Sequence, residues 1–352
     1  MSRRNVISMA LTSLAIAFNL SCTNKSTTSA PAKEVNLAIW GNYLGPDIQE
    51  KFTKETGIKI NISNYSSNEE LLAKVQSGAS GIDVAVPSDY MVEIMAKSNM
   101  LETLNHEKLP NKSNIDPNFL GLNFDKANTY SVPYAWSTAG LAVYKDLVKG
   151  TIKSWKQVFE NKELSGKISM LDDVREVTAA ALKVNGFSVN TVNPAELEKA
   201  KKTLMAVKPR IKMFRTDTID ALVEKEIAVA HAYSSDALQA VEKSGGKIEY
   251  VIPEEGGTRA VDNMVILKGA KNADNAHALI NFMLKPESNL SLVKATMAGP
   301  VLKTTREQLP ENLRNNPSLF PSASTLSHLE ALKDVGEQTK LYDDLWTQVK
   351  TN

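Results

Sequence analysis

The stretch LDDVREVTAA, residues 171–180, places Asp172, Asp173 and Glu176 at the mouth of an apparent helix. Two chemistries fit this spacing. In one, Asp173 and Glu176 form a capping box: Asp173 accepts from an orphan backbone N–H, and Glu176 reaches back to the N–H of the capping residue. In the other, the carboxyl groups receive a cation. Short acidic residues are the default helix openers, so the segment alone favours capping. Other chemically capable residues fall at comparable places. Trp40 and Tyr43 follow the first predicted strand, Ser88 and Tyr90 the third, Tyr233 ends a later one, and Asp262 opens another. Each has an ordinary reading, as a core aromatic, an N-cap or a turn residue. Together they supply carboxylates for ammonium hydrogens and aromatic faces for charge and methylenes, the requirements of an organic cation.

Catalytic signals are thin. The histidines, His106, His231, His277 and His328, have no metal-ligand spacing, and His277 is expected on the surface of an amphipathic helix. There is no G-x-S-x-G elbow, P-loop or G-x-G-x-x-G motif. The expectation is a binding protein with no catalytic residue, no metal and no cofactor.

The elements that must position these residues alternate. Residues 35–40 (VNLAIW) read as a buried strand, 46–56 as a helix closed by Gly57, 58–62 as a strand, 66–78 as a helix with overlapping capping boxes, 82–86 as a strand and 90–97 as a helix. The rhythm recurs with strands at 140–144, 167–171, 227–233, 248–252 and 262–267. The helices between and after them are read at 154–159, 174–184, 194–206, 236–243 and 276–284, the last stopped at Pro286. Such alternation predicts a mostly parallel sheet in two α/β lobes, with a ligand cleft where strand C-termini meet.

The amino terminus predicts the compartment. Arg3 and Arg4 precede an apolar run at 6–20 that is too short to span a membrane, so residues 1–21 read as a secretory signal. Cys22 is the single cysteine and stands where a bacterial lipoprotein signal carries its lipidated residue, with Ser21 suited to the position before it and Asn19 where Leu is usual. Cleavage there takes 21 residues from 352 and leaves 331, with 22–34 as a polar tether and no disulfide. It also removes two arginines and no acid, moving the formal charge from +1 to −1, which gives no reason to expect nucleic acid. At 42% hydrophobic and 23% charged, the remainder reads as an ordinary globular chain of about two domains.

Several segments in order carry a family resemblance: FTKETGIKI (52–60), VPSDY (86–90), SVPYAW (131–136), LDDVREV (171–177), PEEGG (253–257), LINFMLKPE (279–287) and LYDDLWTQVK (341–350). With these the chain resembles the periplasmic spermidine/putrescine-binding proteins of polyamine ABC importers. The resemblance implies a type II periplasmic-binding-protein fold, two α/β lobes joined by crossing hinge strands that close on ligand. Lobe 1 would be 35–137 plus 264–300 and lobe 2 would be 138–263 plus 301–352, with crossings near 137–139 and 262–264 and a third passage after Gly299. It implies aromatic contacts from Trp40, Tyr43, Tyr90 and Tyr233, a polar one from Ser88, and carboxylate contacts from Asp173, Glu176 and Asp262. The implied partners are a polyamine or related organic cation and an inner-membrane ABC permease, for a monomer held at the periplasmic membrane face by a lipid on Cys22. Departures from the family pattern stand at Gly41-Asn42, Ala260, Gly299 and Leu332. They leave room for a bulkier cation or, with Arg259 nearby, for a guanidinium compound or amino acid; a sensor of the same fold is a further alternative.

Overall fold

Apolar periodicity sets the elements around the cleft. The structure, a computed structural model, describes residues 33–78 and 81–351. The signal 1–21, Cys22 and the tether to residue 32 lie outside the described residues. In the first part of the chain β1 (Glu34–Trp40), α1 (Ile48–Thr56), β2 (Lys59–Tyr65), α2 (Asn68–Gln76), β3 (Val84–Ala85) and α3 (Asp89–Lys97) follow the predicted alternation. α1 buries Ile48 and Phe52, one turn apart, and ends at Gly57, whose φ of 71° lets its N–H return to the Thr53 carbonyl. α2 is capped by Ser67, which accepts from the Glu70 N–H, while Glu70 reaches back one residue further to accept from the Ser66 N–H.

The chain continues through β4 (Ser131–Tyr144), α4 (Trp155–Glu160), β5 (Ile168–Met170), α5 (Val174–Val184), α6 (Pro194–Val207), β6 (Ile211–Phe214), α7 (Ile219–Val223), β7 (Val229–Tyr233), α8 (Ser234–Lys243), β8 (Ile248–Val251), β9 (Gly257–Ile266), α9 (Ala273–Met283), α10 (Pro286–Thr296) and β10 (Leu329–Ala331). Pro286 does more than stop α9. It occupies the first turn of α10, where its missing N–H costs nothing.

The strands form one sheet in the order β2-β1-β3-β9-β4-β7-β5-β6, with β10 on β9 and β8 on β4. It is not mostly parallel. β1 runs parallel to β2 and β3, and β5 parallel to β6 and β7, but β9 is antiparallel to β3 and β4, and β4 antiparallel to β7 and β8. The two parallel groups are thus joined through an antiparallel pair of long strands. β4 runs for 14 residues and β9 for 10. Their register shifts between Pro133 and Ala135, beside a residue that has no N–H to give the ladder.

Hydrophobic clusters cover both groups. Val35, Leu37 and Ile39 pack with Phe52 and Phe282, whose rings meet edge-on at 5.3 Å, and Val301 and Leu302 join this cluster. Leu141 and Val143 pack with Trp155, α5 and the C-terminal helix Thr339–Thr351. Because β1 and β3 run one way in their group and β5 and β7 together in theirs, each group delivers its C-terminal residues to a common edge. Those edges carry Trp40, Ser88, Asp173 and Tyr233.

Candidate functional site

A cavity of about 180 Å3 lies at these strand ends. Trp40, Tyr43, Ser88, Tyr90, Asp173, Glu176, Tyr233 and Asp262, the eight residues singled out from the sequence, all line it. The lining also includes Glu70, Asp217 and Asp236, and no lysine, arginine or histidine among the described residues.

On one wall sits Asp262 of β9. Its Oδ2 accepts from the Tyr43 hydroxyl at 2.8 Å and its Oδ1 from the Ser88 hydroxyl at 2.7 Å. Ser88 is held in turn by Asn68, whose Oδ1 accepts from the Ser88 N–H and whose amide donates to the Ser88 hydroxyl oxygen, both at 3.1 Å. Ser88 precedes α3 but makes no side-chain cap there, since its hydroxyl is committed to the carboxylate. Burial pushes the Asp262 carboxyl up to about 6, against the two hydroxyl donors that favour the anion.

The opposite wall settles how LDDVREVTAA is used. Asp173 is a helix cap: its Oδ1 accepts from the N–H groups of Arg175 and Glu176, each at 3.0 Å. Its Oδ2 accepts from the Tyr233 hydroxyl at 3.2 Å on the cavity side. Glu176 does not complete the capping box. Its Oε2 instead accepts from the Thr258 hydroxyl of β9 at 2.7 Å. Burial raises both acids above the usual carboxylate range, and Glu176 reaches about 8 with the Asp173 charge as a second cause. Asp172 points away and pairs with Lys350.

The aromatic groups link the walls. The Trp40 indole donates to the Val86 carbonyl at 2.9 Å, stands 4.9 Å from the Tyr65 ring and meets Tyr233 edge-on at 6.0 Å. Tyr90 donates to Glu69 at 2.9 Å, and burial lifts Glu69 to about 7. Arg175 lies behind this wall, fully buried. Its guanidinium donates to the Lys333 carbonyl and the Asn190 side chain and lies over the rings of Tyr342 (4.6 Å) and Tyr90 (5.4 Å).

Sequence reasoning missed Glu69, Tyr65, Thr258 and Asp236. Asp236 was read only as the first residue of a helix. α8 starts two residues earlier, which sets Asp236 in its first turn beside the cavity, where burial raises it to about 7. The run Ser234-Ser235-Asp236 straight after β7 is the signal that could have found it. His277 also departs from expectation. It is buried, with Nδ1 2.7 Å from the Ala273 carbonyl and Nε2 accepting from the Asn105 N–H, because α9 turns this face inward. Of the departures from the family pattern, Gly41, Ala260 and Leu332 line the cavity, whereas Gly299 lies beside Trp136, whose indole fills the space of any side chain there.

Such a cavity can hold a cation: it concentrates acceptors and aromatic faces, and no positive side chain among the described residues lines it. Residues 47–321 match the family model described as bacterial extracellular solute-binding protein. The spermidine/putrescine-binding periplasmic protein of Salmonella typhimurium is 35% identical over 314 residues, covering 88% of this chain and 90% of that one. The putrescine/cadaverine-binding protein of Pseudomonas aeruginosa is 34% identical over 332 residues, covering 91% and 94%. Among solved structures, the spermidine/putrescine ABC transporter substrate-binding protein of Streptococcus pneumoniae superposes with a TM-score of 0.75 at 32% identity, covering 90% of this chain and 98% of that one. A lipoprotein of Treponema pallidum superposes at 0.79 with 30% identity, covering 90% and 99%.

Proposed function

This chain belongs to the bacterial extracellular solute-binding proteins, in their spermidine/putrescine-binding group, and from that premise we propose that it captures a polyamine for an ABC importer. One observation carries this reading: the buried carboxyl groups of Asp173, Glu176 and Asp262 line a cavity that has no basic side chain among its described residues. Buried carboxylates are costly unless paired, and the ammonium groups of a bound diamine would pair them. Asp173 and Glu176 receive one ammonium group and Asp262 another. Trp40, Tyr43, Tyr90 and Tyr233 flank the methylenes, and Ser88 orients Asp262.

The lobes 35–137 plus 264–300 and 138–263 plus 301–352 would close on the ligand about β4 and β9. Delivery is to an inner-membrane permease, by a monomer with no catalytic step, tethered through Cys22 outside the cytoplasmic membrane. The Treponema relative, itself a lipoprotein, supports that anchoring.

Thermal unfolding with putrescine, cadaverine, spermidine, spermine and agmatine tests the reading. A ligand at 100 times its Kd stabilises by about 2.7 kcal/mol, and no shift with any of the five rules the polyamine out.

A further inference from the structure

A second cavity of about 660 Å3 adjoins the first. Tyr90, Ala260 and Leu332 line both. The sheet is incomplete where they stand: along this edge of β9, β10 pairs only as far as Arg259, and the next partner is Ser88 at Asp262. No strand therefore covers Ala260 and Val261 on that side, and at Ala260 the partition offers a single methyl group.

The two cavities differ in charge. In the second, Glu93 and Asp334 are both paired with Lys97, at 2.9 and 2.8 Å, and Asp89 accepts from the Tyr90 N–H at 2.9 Å. Arg259 and Lys333 are exposed, and neither side chain has a salt bridge or hydrogen bond among the described residues; Arg259 reaches Asp89 only at electrostatic range. The Trp136 indole N–H, on the same lining, also lacks a partner among the described residues. Buried carboxyls thus gather on one side of Ala260 and unpaired cations on the other.

We propose that the ligand is an amine whose chain ends in a carboxylate, the amine held among Asp173, Glu176 and Asp262 and the carboxylate reaching past Ala260 to Arg259, Lys333 and the Trp136 N–H. This rests on the cation-binding reading of the first cavity and refines its substrate class. Arg259 and Lys333 are then specificity residues for the anionic end.

Calorimetric titration with putrescine, N-propylputrescine and N-(3-carboxypropyl)putrescine tests it. The carboxylated amine is expected to bind about tenfold more tightly than its propyl counterpart, the value of one charge-assisted contact. R259Q/K333Q should erase that margin and leave putrescine unchanged. A260W should exclude both extended amines. A carboxylated amine no tighter than the propyl one, or a margin that survives R259Q/K333Q, overturns the proposal and leaves polyamine binding standing. Failure of all three amines to bind overturns both.

Discussion

The Thr258 hydroxyl donates a 2.7 Å hydrogen bond to Glu176 Oε2, tying β9 to the first turn of α5. Thr258, Ala260 and Asp262 alternate along β9 and so share a face. That strand accordingly serves both ends of the cavity, through Thr258 to Glu176 and through Asp262 itself. Removing the Thr258 hydroxyl while keeping its shape should expose this link. T258V leaves the raised Glu176 carboxyl without its donor, so it moves further up and ligand binding at neutral pH weakens by about 1–2 kcal/mol. Raising the pH should restore part of that loss, and a pH-independent deficit would contradict it.

Asp173 uses separate oxygens for separate tasks, so its two roles can be divided by substitution. Asn keeps an oxygen for the N–H groups of Arg175 and Glu176, and Asn and Asp are near-equal caps. D173N should therefore fold with nearly unchanged stability but lose about 2–5 kcal/mol of polyamine affinity, the usual cost of truncating one partner of a buried charge pair. D173A should lose the same affinity and in addition about 1 kcal/mol of stability. Denaturant midpoints and titration calorimetry on the two variants read these out separately. Unchanged affinity in D173N would leave capping as the only role of Asp173.

Burial sets the sign of the pH dependence. Glu176 at about 8, Glu69 and Asp236 at about 7 and Asp262 at about 6 all lie above the ordinary carboxylate range. In the unfolded chain such groups ionise near pH 4, so between about pH 4 and 8 the folded empty protein holds protons that the unfolded chain has released. Stability of the empty protein should fall as pH rises through that window. A diamine favours the ionised carboxyls, so its affinity should rise over the same interval and its binding should release protons. Calorimetry at about pH 7 in buffers of differing ionisation enthalpy measures the release directly. Equal apparent enthalpies in all buffers would refute it.

Much of this site was legible in the sequence because its residues follow short, strongly patterned elements. VNLAIW, IAVAHAY and the Asp173 cap mark their own boundaries, and strand C-termini in α/β sheets gather ligands. β4 was less legible. Pro133 breaks a strand pattern, and Ser137-Thr138 interrupts its apolar run, so only residues 140–144 read as strand. The antiparallel centre of the sheet was lost with it, since alternation of strands and helices predicts parallel pairing. Thr258 and Glu69 were hidden for another reason. Their role depends on partners up to 82 positions away, which no local pattern reports.

Lipidation at Cys22 can be tested apart from ligand binding. With Cys22 lipidated, the protein should partition with the membrane fraction and migrate differently from C22A, which should instead be released in soluble form. Polyamine affinity should be equal in the two, because the residues described around the cavity run from Trp40 to Leu332 and reproduce the whole proposed ligand set. Identical migration and fractionation would rule out lipidation at Cys22.

Asp262 provides the last test, because its environment is built from two hydroxyls of unequal reach. Tyr43 comes from the loop after β1 and also packs edge-on against Tyr134 at 5.5 Å, while Ser88 is fixed by Asn68. Y43F keeps the ring contact and removes only the bond to Oδ2. S88A removes the bond to Oδ1 and also frees Asn68. Each should raise the Asp262 carboxyl, shifting the acid limb of ligand binding upward in pH, since both hydroxyls favour the anion. S88A should cost more stability than Y43F, on the order of 1–3 kcal/mol against about 1, because it leaves the buried Asn68 amide short of a partner as well. A double-mutant cycle should show coupling between the two, as they share one carboxylate. Strict additivity, with no shift in the acid limb, would mean that Asp262 is not the group the ligand meets.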